Sequence, residues 1–203
     1  MGGPAKERAL AGWMEAMAAS GWASATPDLA AAAAGIDGVA LKATLGDRHA
    51  ALAFLQDRVA DAAVEAAANA GGEVRARLFD GFMAGFDLLQ ERRAAVLAVW
   101  KARGPSIAVL VGGRIRLDLR RLALASGVET RRLRGRAREL ALALICWQAF
   151  QAWLADDSPD MASTMAALDR LLDKAARAEA EGLSADLFGL PGLASLCGRL
   201  RPG

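Results

Sequence analysis

The feature that most constrains this chain is its alanine content, because 49 of its 203 residues are alanine. Alanine is the strongest helix former and is depleted in β-strands. Apolar residues also recur at spacings of three and four, as in Leu10, Trp13, Met14 and Met17, and no segment alternates over the length of a strand. Together these patterns predict an all-α fold.

Glycine, proline and capping residues divide the chain into short helices. Thr26-Pro27-Asp28 is typical of a helix start, with threonine as the N-cap and proline at the first helical position. Ala70-Gly71-Gly72 is the best candidate in the sequence for a domain boundary, and Ser158 followed by Pro159 predicts a second helix start like that at Thr26. The predicted helices cover residues 5–19, 27–34, 38–44, 48–69, 73–90, 92–102, 106–125 (interrupted or loosened at Gly112-Gly113), 131–154 and 159–180.

Positive charge is concentrated in one segment. Residues 114–138 carry nine arginines against Asp118 and Glu129, whereas residues 1–60 carry five basic and six acidic side chains. We interpret the arginine-rich segment as a solvated helix face, with anionic lipid headgroups or an acidic partner as the alternatives. The slight negative charge of residues 1–60 favours only weak non-specific binding to nucleic acid.

Few side chains are suited to catalysis or metal binding. His49 is the only histidine and is predicted to lie at the surface, and no glycine-rich phosphate loop follows a strand. Asp156, Asp157 and Asp160 are interpreted as helix-capping groups rather than a cation site. We therefore expect no enzymatic activity, no cofactor and no metal. The lack of a signal-like segment or a run of about 20 apolar residues predicts a cytoplasmic location with reduced cysteines.

The most informative stretch is Gly21–Leu52. Two short helices joined at Ala34-Gly35-Ile36 have the lengths of a helix-turn-helix, and Gly35 suits a turn that needs a positive φ. An alanine-rich helical pair without a role in DNA binding is the alternative. The small core of this unit is predicted to comprise Leu29, Ile36, Leu41 and Leu45. The second helix is predicted to expose a surface that could enter a major groove. The residues of this surface are Asp37, Gly38, Ala40, Lys42 and Ala43.

This stretch resembles the TetR family of transcriptional regulators. The matching residues are Gly21-Trp22, Thr26, Leu29-Ala30, Ala34-Gly35-Ile36, Leu41, Leu45, Arg48 and Leu52. The resemblance implies a helix-turn-helix domain over residues 1–50, a helical ligand-binding and dimerisation domain over residues 51–203, and ligand-responsive control of transcription. The DNA-contacting residues that it implies are Thr26, Asp37, Ala40, Lys42 and Arg48.

The chain departs from the family pattern, which usually has threonine at Ala40 and tyrosine at Lys42. The usual aromatic residue at Leu45 and the usual Pro-Ser at Gly46-Asp47 are also missing. These departures leave weak or lost DNA binding as an alternative to the family's function.

Residues 78–100 and 153–175 are also similar to the C-terminal domain of a bacterial TetR-like subgroup. The corner Asp156-Asp157-Ser158-Pro159-Asp160 is similar to the lipid-binding accessory proteins of ubiquinone biosynthesis, which have a TetR-like fold and do not act as repressors. That similarity implies an alternative function in which the chain binds lipid and touches a membrane surface, with the apolar segment 184–200 as a candidate for membrane contact or for covering the core.

Aromatic and methionine side chains on the later helices are interpreted either as ordinary core or as the lining of a pocket for a small apolar ligand or lipid. The pocket residues are predicted to be Phe82, Met83, Phe86, Trp100, Trp147 and Phe150. Apolar stripes on the last two long helices can face either the core or a second copy of the chain, as in the four-helix dimer interface of TetR relatives. The residues predicted for the homodimer interface are Leu140, Leu144, Met161, Met165, Leu168 and Leu172.

Overall fold

A computed structural model describes residues 3–104, 107–130 and 132–180 of the chain. In these ranges it contains nine α-helices and no β-strand, which confirms the all-α class. The TetR-like arrangement of these helices stays a prediction. The helices are α1 Gly3–Ser20, α2 Pro27–Ala34, α3 Gly38–Thr44, α4 Arg48–Asn69, α5 Val74–Gln90, α6 Arg93–Arg103, α7 Ile107–Ala125, α8 Arg132–Leu154 and α9 Ala162–Ala180.

Helices α2, α3 and α4 have the predicted bounds because each start is fixed by a local cap. The Thr26 hydroxyl accepts a hydrogen bond from the Leu29 N–H at 3.3 Å, and the Asp37 carboxylate accepts one from the Ala40 N–H at 2.8 Å. Asp47 Oδ1 caps α4 in the same way by accepting from the N–H groups of the following turn. These side chains replace the partners that the first N–H groups of a helix lack.

Two expectations about the later helices are wrong. The backbone of α7 stays helical through Gly112 and Gly113, so the predicted interruption is absent. Helix α9 begins at Ala162, not at Pro159, because Ser158 to Asp160 form a turn. The Ser158 hydroxyl still accepts a hydrogen bond from the Ala162 N–H at 3.0 Å, so its capping role is kept at a later position.

Contacts divide the described chain into two compact units. As far as it is described, the first comprises Met1–Ala63 and Ala84–Leu117, and the second comprises Val64–Met83 and Asp118–Gly203. Helices α4, α5 and α7 contribute residues to both units. The predicted boundary after residue 50 falls inside the first unit, and a separate domain over residues 1–50 stays a prediction.

The core of the first unit is built around α1, which packs against α2 and α6. Leu10, Trp13 and Met17 of α1 are fully buried. Gly12 lies where α1 crosses α2, since a Cβ atom there would overlap the carbonyl oxygen of Ala30. Close contact of the two backbones therefore replaces the interdigitated side chains of a typical helix crossing.

Leu29 was expected in this core and is not part of it. Its side chain is 47% exposed, whereas Ala30 and Ala31 are buried. The small residues of α2 face α1 because only they fit the close crossing at Gly12.

The second unit contains the packed pair α8 and α9. The buried face of α8 presents Leu142, Ile145, Ala149 and Trp153, and α9 contributes Thr164, Leu168 and Leu172. Arg75 of α5 binds two carboxylates of α9, Asp169 at 2.5 Å and Asp173 at 2.6 Å. Both hydrogen bonds raise the pKa of the Arg75 guanidinium, so the group stays charged at all accessible pH values.

Candidate DNA-contacting surface

The turn between α2 and α3 is formed by Gly35, which adopts the left-handed conformation with a φ of 62°. A side chain at this position would be strained, so glycine is the residue that allows the turn. The backbone N–H of Ile36 donates to the Ala31 carbonyl at 3.1 Å and closes the end of α2. The turn thus fixes the direction in which α3 leaves α2.

Trp13 holds the other end of α3 against α1. Its indole Nε1–H donates a buried hydrogen bond to the carbonyl oxygen of Leu45, the C-cap residue of α3, at 2.9 Å. Leu41 and Leu45 are buried beneath the helix. The inner face and the C-terminus of α3 are therefore both anchored, and its outer face is left to solvent.

The Arg48 side chain binds the segment between α1 and α2 and is not part of the outer face of α3. Its Nη1 donates to the carbonyl oxygens of Trp22 at 2.7 Å and Ala23 at 3.0 Å. Its guanidinium also lies 4.8 Å from the centre of the Trp22 ring, within the range of a cation–π interaction. His49 is exposed and contacts the same ring edge-on at 5.1 Å. The interactions of Arg48 stabilise the segment that connects α1 to α2.

The five residues predicted to contact DNA occupy three kinds of position. Thr26 and Asp37 are N-caps whose side-chain oxygens already bind backbone N–H groups. Ala40 is half-buried, Lys42 is exposed, and Arg48 binds backbone carbonyls. Lys42 is thus the one member of the predicted set that is both exposed and free of a capping or structural role in the described residues.

Sequence reasoning missed Val39, which is 81% exposed. Successive residues of a helix are rotated by about 100°, so Val39 and Ala43 project away from the buried Leu41 and Leu45. The positions of the two leucines were a usable signal for this orientation. The outer face of α3 thus presents Val39, Lys42 and Ala43.

The predicted pocket residues are distributed over both units. Phe86 and Trp100 belong to the first unit and the other four to the second. Phe82 and Phe86 are buried, Met83, Trp100 and Phe150 are half-buried, and Trp147 is 41% exposed. Phe150 stacks on Trp153 with ring centres 5.7 Å apart. That these six residues line a pocket for an apolar ligand stays a prediction.

The predicted dimer residues also divide into two groups. Met161, Leu168 and Leu172 are buried within the chain itself, so their side chains are covered before any partner binds. Leu140 is 43% exposed, and Leu144 and Met165 are half-buried. Of the predicted set, Leu140 is the residue most available to a second copy of the chain.

Acidic side chains pair with several arginines of segment 114–138. The described pairs are Arg114 with Asp57, Arg120 with Glu139, Arg121 with Asp118, and Arg138 with Glu179. The hydrogen bonds that the Arg138 guanidinium donates to the Glu179 carboxylate raise its pKa. These pairs reduce the positive charge that the segment presents to a partner. The side chains of Arg131, Arg132 and Arg134 and the whole of residues 184–200 lie outside the described part of the chain.

Three further features of the described residues concern metal binding, thiol reactivity and membrane crossing. Within the described ranges, no group of three or more His, Cys, Asp or Glu residues could hold a metal ion. Burial raises the pKa of the Cys146 thiol to about 11, which disfavours the nucleophilic thiolate. None of the described helices is both long and apolar enough to cross a membrane.

Comparison with known proteins identifies no relative, since no family model, no curated protein and no solved structure matches the chain.

Proposed function

We propose that the chain is a TetR-like, ligand-responsive transcriptional regulator that binds duplex DNA as a homodimer through α3. The observation that carries this proposal is the α2–α3 pair, in which Gly35 fixes the turn, Trp13 anchors the C-cap and the outer face of α3 is exposed. A helix-turn-helix protein presents its second helix to the major groove by an exposed outer face of this kind, which supports the proposal. A ligand would control DNA binding by favouring one of two spacings of the paired recognition helices.

Selection from a random pool of duplex DNA at about 0.1 M salt tests this proposal. In the proposed complex Lys42 lies near a phosphate, so Lys42→Ala should weaken binding to all sequences and reduce the slope of log Kd against log salt by about 1 for each protomer of the dimer. Lys101→Ala is the matched control, because Lys101 is an exposed lysine at the end of α6 and should leave the slope unchanged. A folded protein that retains no duplex at low salt would overturn the proposal.

A lipid-binding accessory function is the second candidate, because the charge of the α3 region weighs against DNA binding. Arg48 is committed to the Trp22 and Ala23 carbonyls, and the nearby caps Asp37 and Asp47 are exposed acids. This surface therefore offers little positive charge to phosphates. In this second function, apolar isoprenoid lipid should co-purify with the protein and be detected by mass spectrometry. The protein should also float with anionic liposomes, and deletion of residues 184–203 should abolish flotation.

A further inference from the structure

Val39 has the highest exposure among the large apolar side chains that the structure describes as exposed. It lies in α3, where it contributes nothing to the core, and valine is a weaker helix former than alanine or leucine because its side chain is branched at Cβ. Neither packing nor helix propensity therefore explains a valine here. Its apolar side chain is therefore available to a partner that approaches the outer face of α3.

The outer face of α3 has a simple chemical character. Val39 and Ala43 are one turn apart and carry only methyl groups, and Lys42 beside them carries the single positive charge. A methyl group can neither donate nor accept a hydrogen bond, so Val39 and Ala43 cannot read the donors and acceptors of base edges. The base-edge group in the major groove that an apolar side chain does recognise is the C5-methyl of thymine.

We propose that Val39, together with Ala43, reads thymine methyl groups in the major groove and so sets the sequence preference of α3. This inference rests on the proposed function, since it requires that α3 enters duplex DNA. It assigns specificity to Val39, which is not among the five residues predicted to contact DNA, whereas Ala40 of that set is half-buried. Lys42 contributes affinity for phosphate and carries no sequence information.

The test uses the duplex recovered by selection from random DNA and replaces each thymidine in turn with deoxyuridine. This change removes one methyl group and leaves base pairing and charge intact. Burial of one methyl-sized group is equivalent to about a four-fold change in affinity. We expect one or two thymidines in each half-site to show a loss of about this size, and the other replacements to have no effect.

Val39→Ala provides the matching change in the protein. It should weaken binding to the thymidine duplex about four-fold or more. Its effect on the deoxyuridine duplex should be much smaller, because that duplex already lacks the methyl group that Val39 contacts. Leu29→Ala is the control, since Leu29 is an exposed apolar residue of α2 and should weaken neither complex selectively. Circular dichroism establishes that both variants remain folded, as expected for exposed positions.

Two results would overturn the inference while leaving DNA binding in place. One is a duplex that is bound with the same affinity whether it carries thymidine or deoxyuridine. The other is an equal loss for Val39→Ala on both duplexes. If no duplex is recovered at all, the proposed function fails together with the inference, so the two failures are distinguishable.

Discussion

Asp156 is a buried carboxylate whose two oxygens accept four hydrogen bonds. Oδ1 accepts from the N–H and hydroxyl of Ser158 at 3.1 and 2.5 Å, and Oδ2 accepts from the N–H and hydroxyl of Thr164 at 2.7 and 2.8 Å. The bond from the Ser158 hydroxyl and the bonds from Thr164 hold the pKa of the Asp156 carboxyl far below its usual range. One side chain thus links the end of α8 to the first turn of α9.

This linkage makes the charge of Asp156 part of the stability of the fold. Because its folded-state pKa is lower than the unfolded value of about 3.9, its contribution is fully present well above that pH and is lost as the pH falls toward the folded-state pKa. Asp156→Asn should lower the free energy of unfolding at pH 7 by about 1–3 kcal/mol, since an amide cannot accept all four bonds.

Urea unfolding at pH 7 and at pH 3 measures this effect. The difference between wild type and Asp156→Asn should shrink at the lower pH, and a difference that stays constant would contradict the assignment. Asp160→Asn is the control, because Asp160 is exposed and accepts only a long hydrogen bond of 3.3 Å from Ala162.

At the scale of helices, the crossing of α1 and α2 depends on Gly12. Gly12→Ala should destabilise the protein by about 1–3 kcal/mol or displace α2, because the added methyl overlaps the backbone of Ala30. Gly3→Ala adds the same methyl to the same helix with no neighbour within 4 Å, so it should be neutral or slightly stabilising. Urea unfolding of the two variants makes the comparison, and equal stabilities would contradict a close crossing at Gly12.

The elements differ in how far the sequence predicts them, and the physical reason is the range of the interactions that define them. The starts of α2, α3 and α4 follow from Thr26, Asp37 and Asp47, which bind N–H groups two or three residues away. The start of α9 depends in addition on Asp156, whose bond to Thr164 spans eight residues. A local cap signature such as Ser158-Pro159 carries no information about that longer bond.

The candidate site shows the same limit. Its turn at Gly35 and the exposure of Lys42 are predictable from local sequence. The Arg48 guanidinium binds carbonyl oxygens 25 and 26 residues away in the sequence. Local sequence patterns therefore could not reveal that this side chain has a structural role. Leu29 was misplaced for a related reason, since the glycine that excludes it from the crossing lies in another helix.

For the whole molecule, the proposed homodimer can be tested with two leucines that the sequence placed in one interface. Leu140 is exposed, so Leu140→Arg should produce a folded monomer by placing an unpaired charge in the interface. Leu168 is fully buried in the chain, so Leu168→Arg should instead reduce helical content and the free energy of unfolding. Sedimentation at micromolar concentration, with circular dichroism, distinguishes the two. A wild-type monomer would refute the homodimer.

The hydrogen bond between Trp13 and Leu45 also provides an intrinsic probe of the motion of α3. The indole proton of Trp13 is buried and bonded to the end of α3, so it can exchange with deuterated solvent only when α3 separates from α1 or the unit unfolds. Its exchange rate, followed by nuclear magnetic resonance, therefore measures how often the candidate recognition helix detaches. A ligand or a duplex that holds α3 in place should slow that one proton without any label being added.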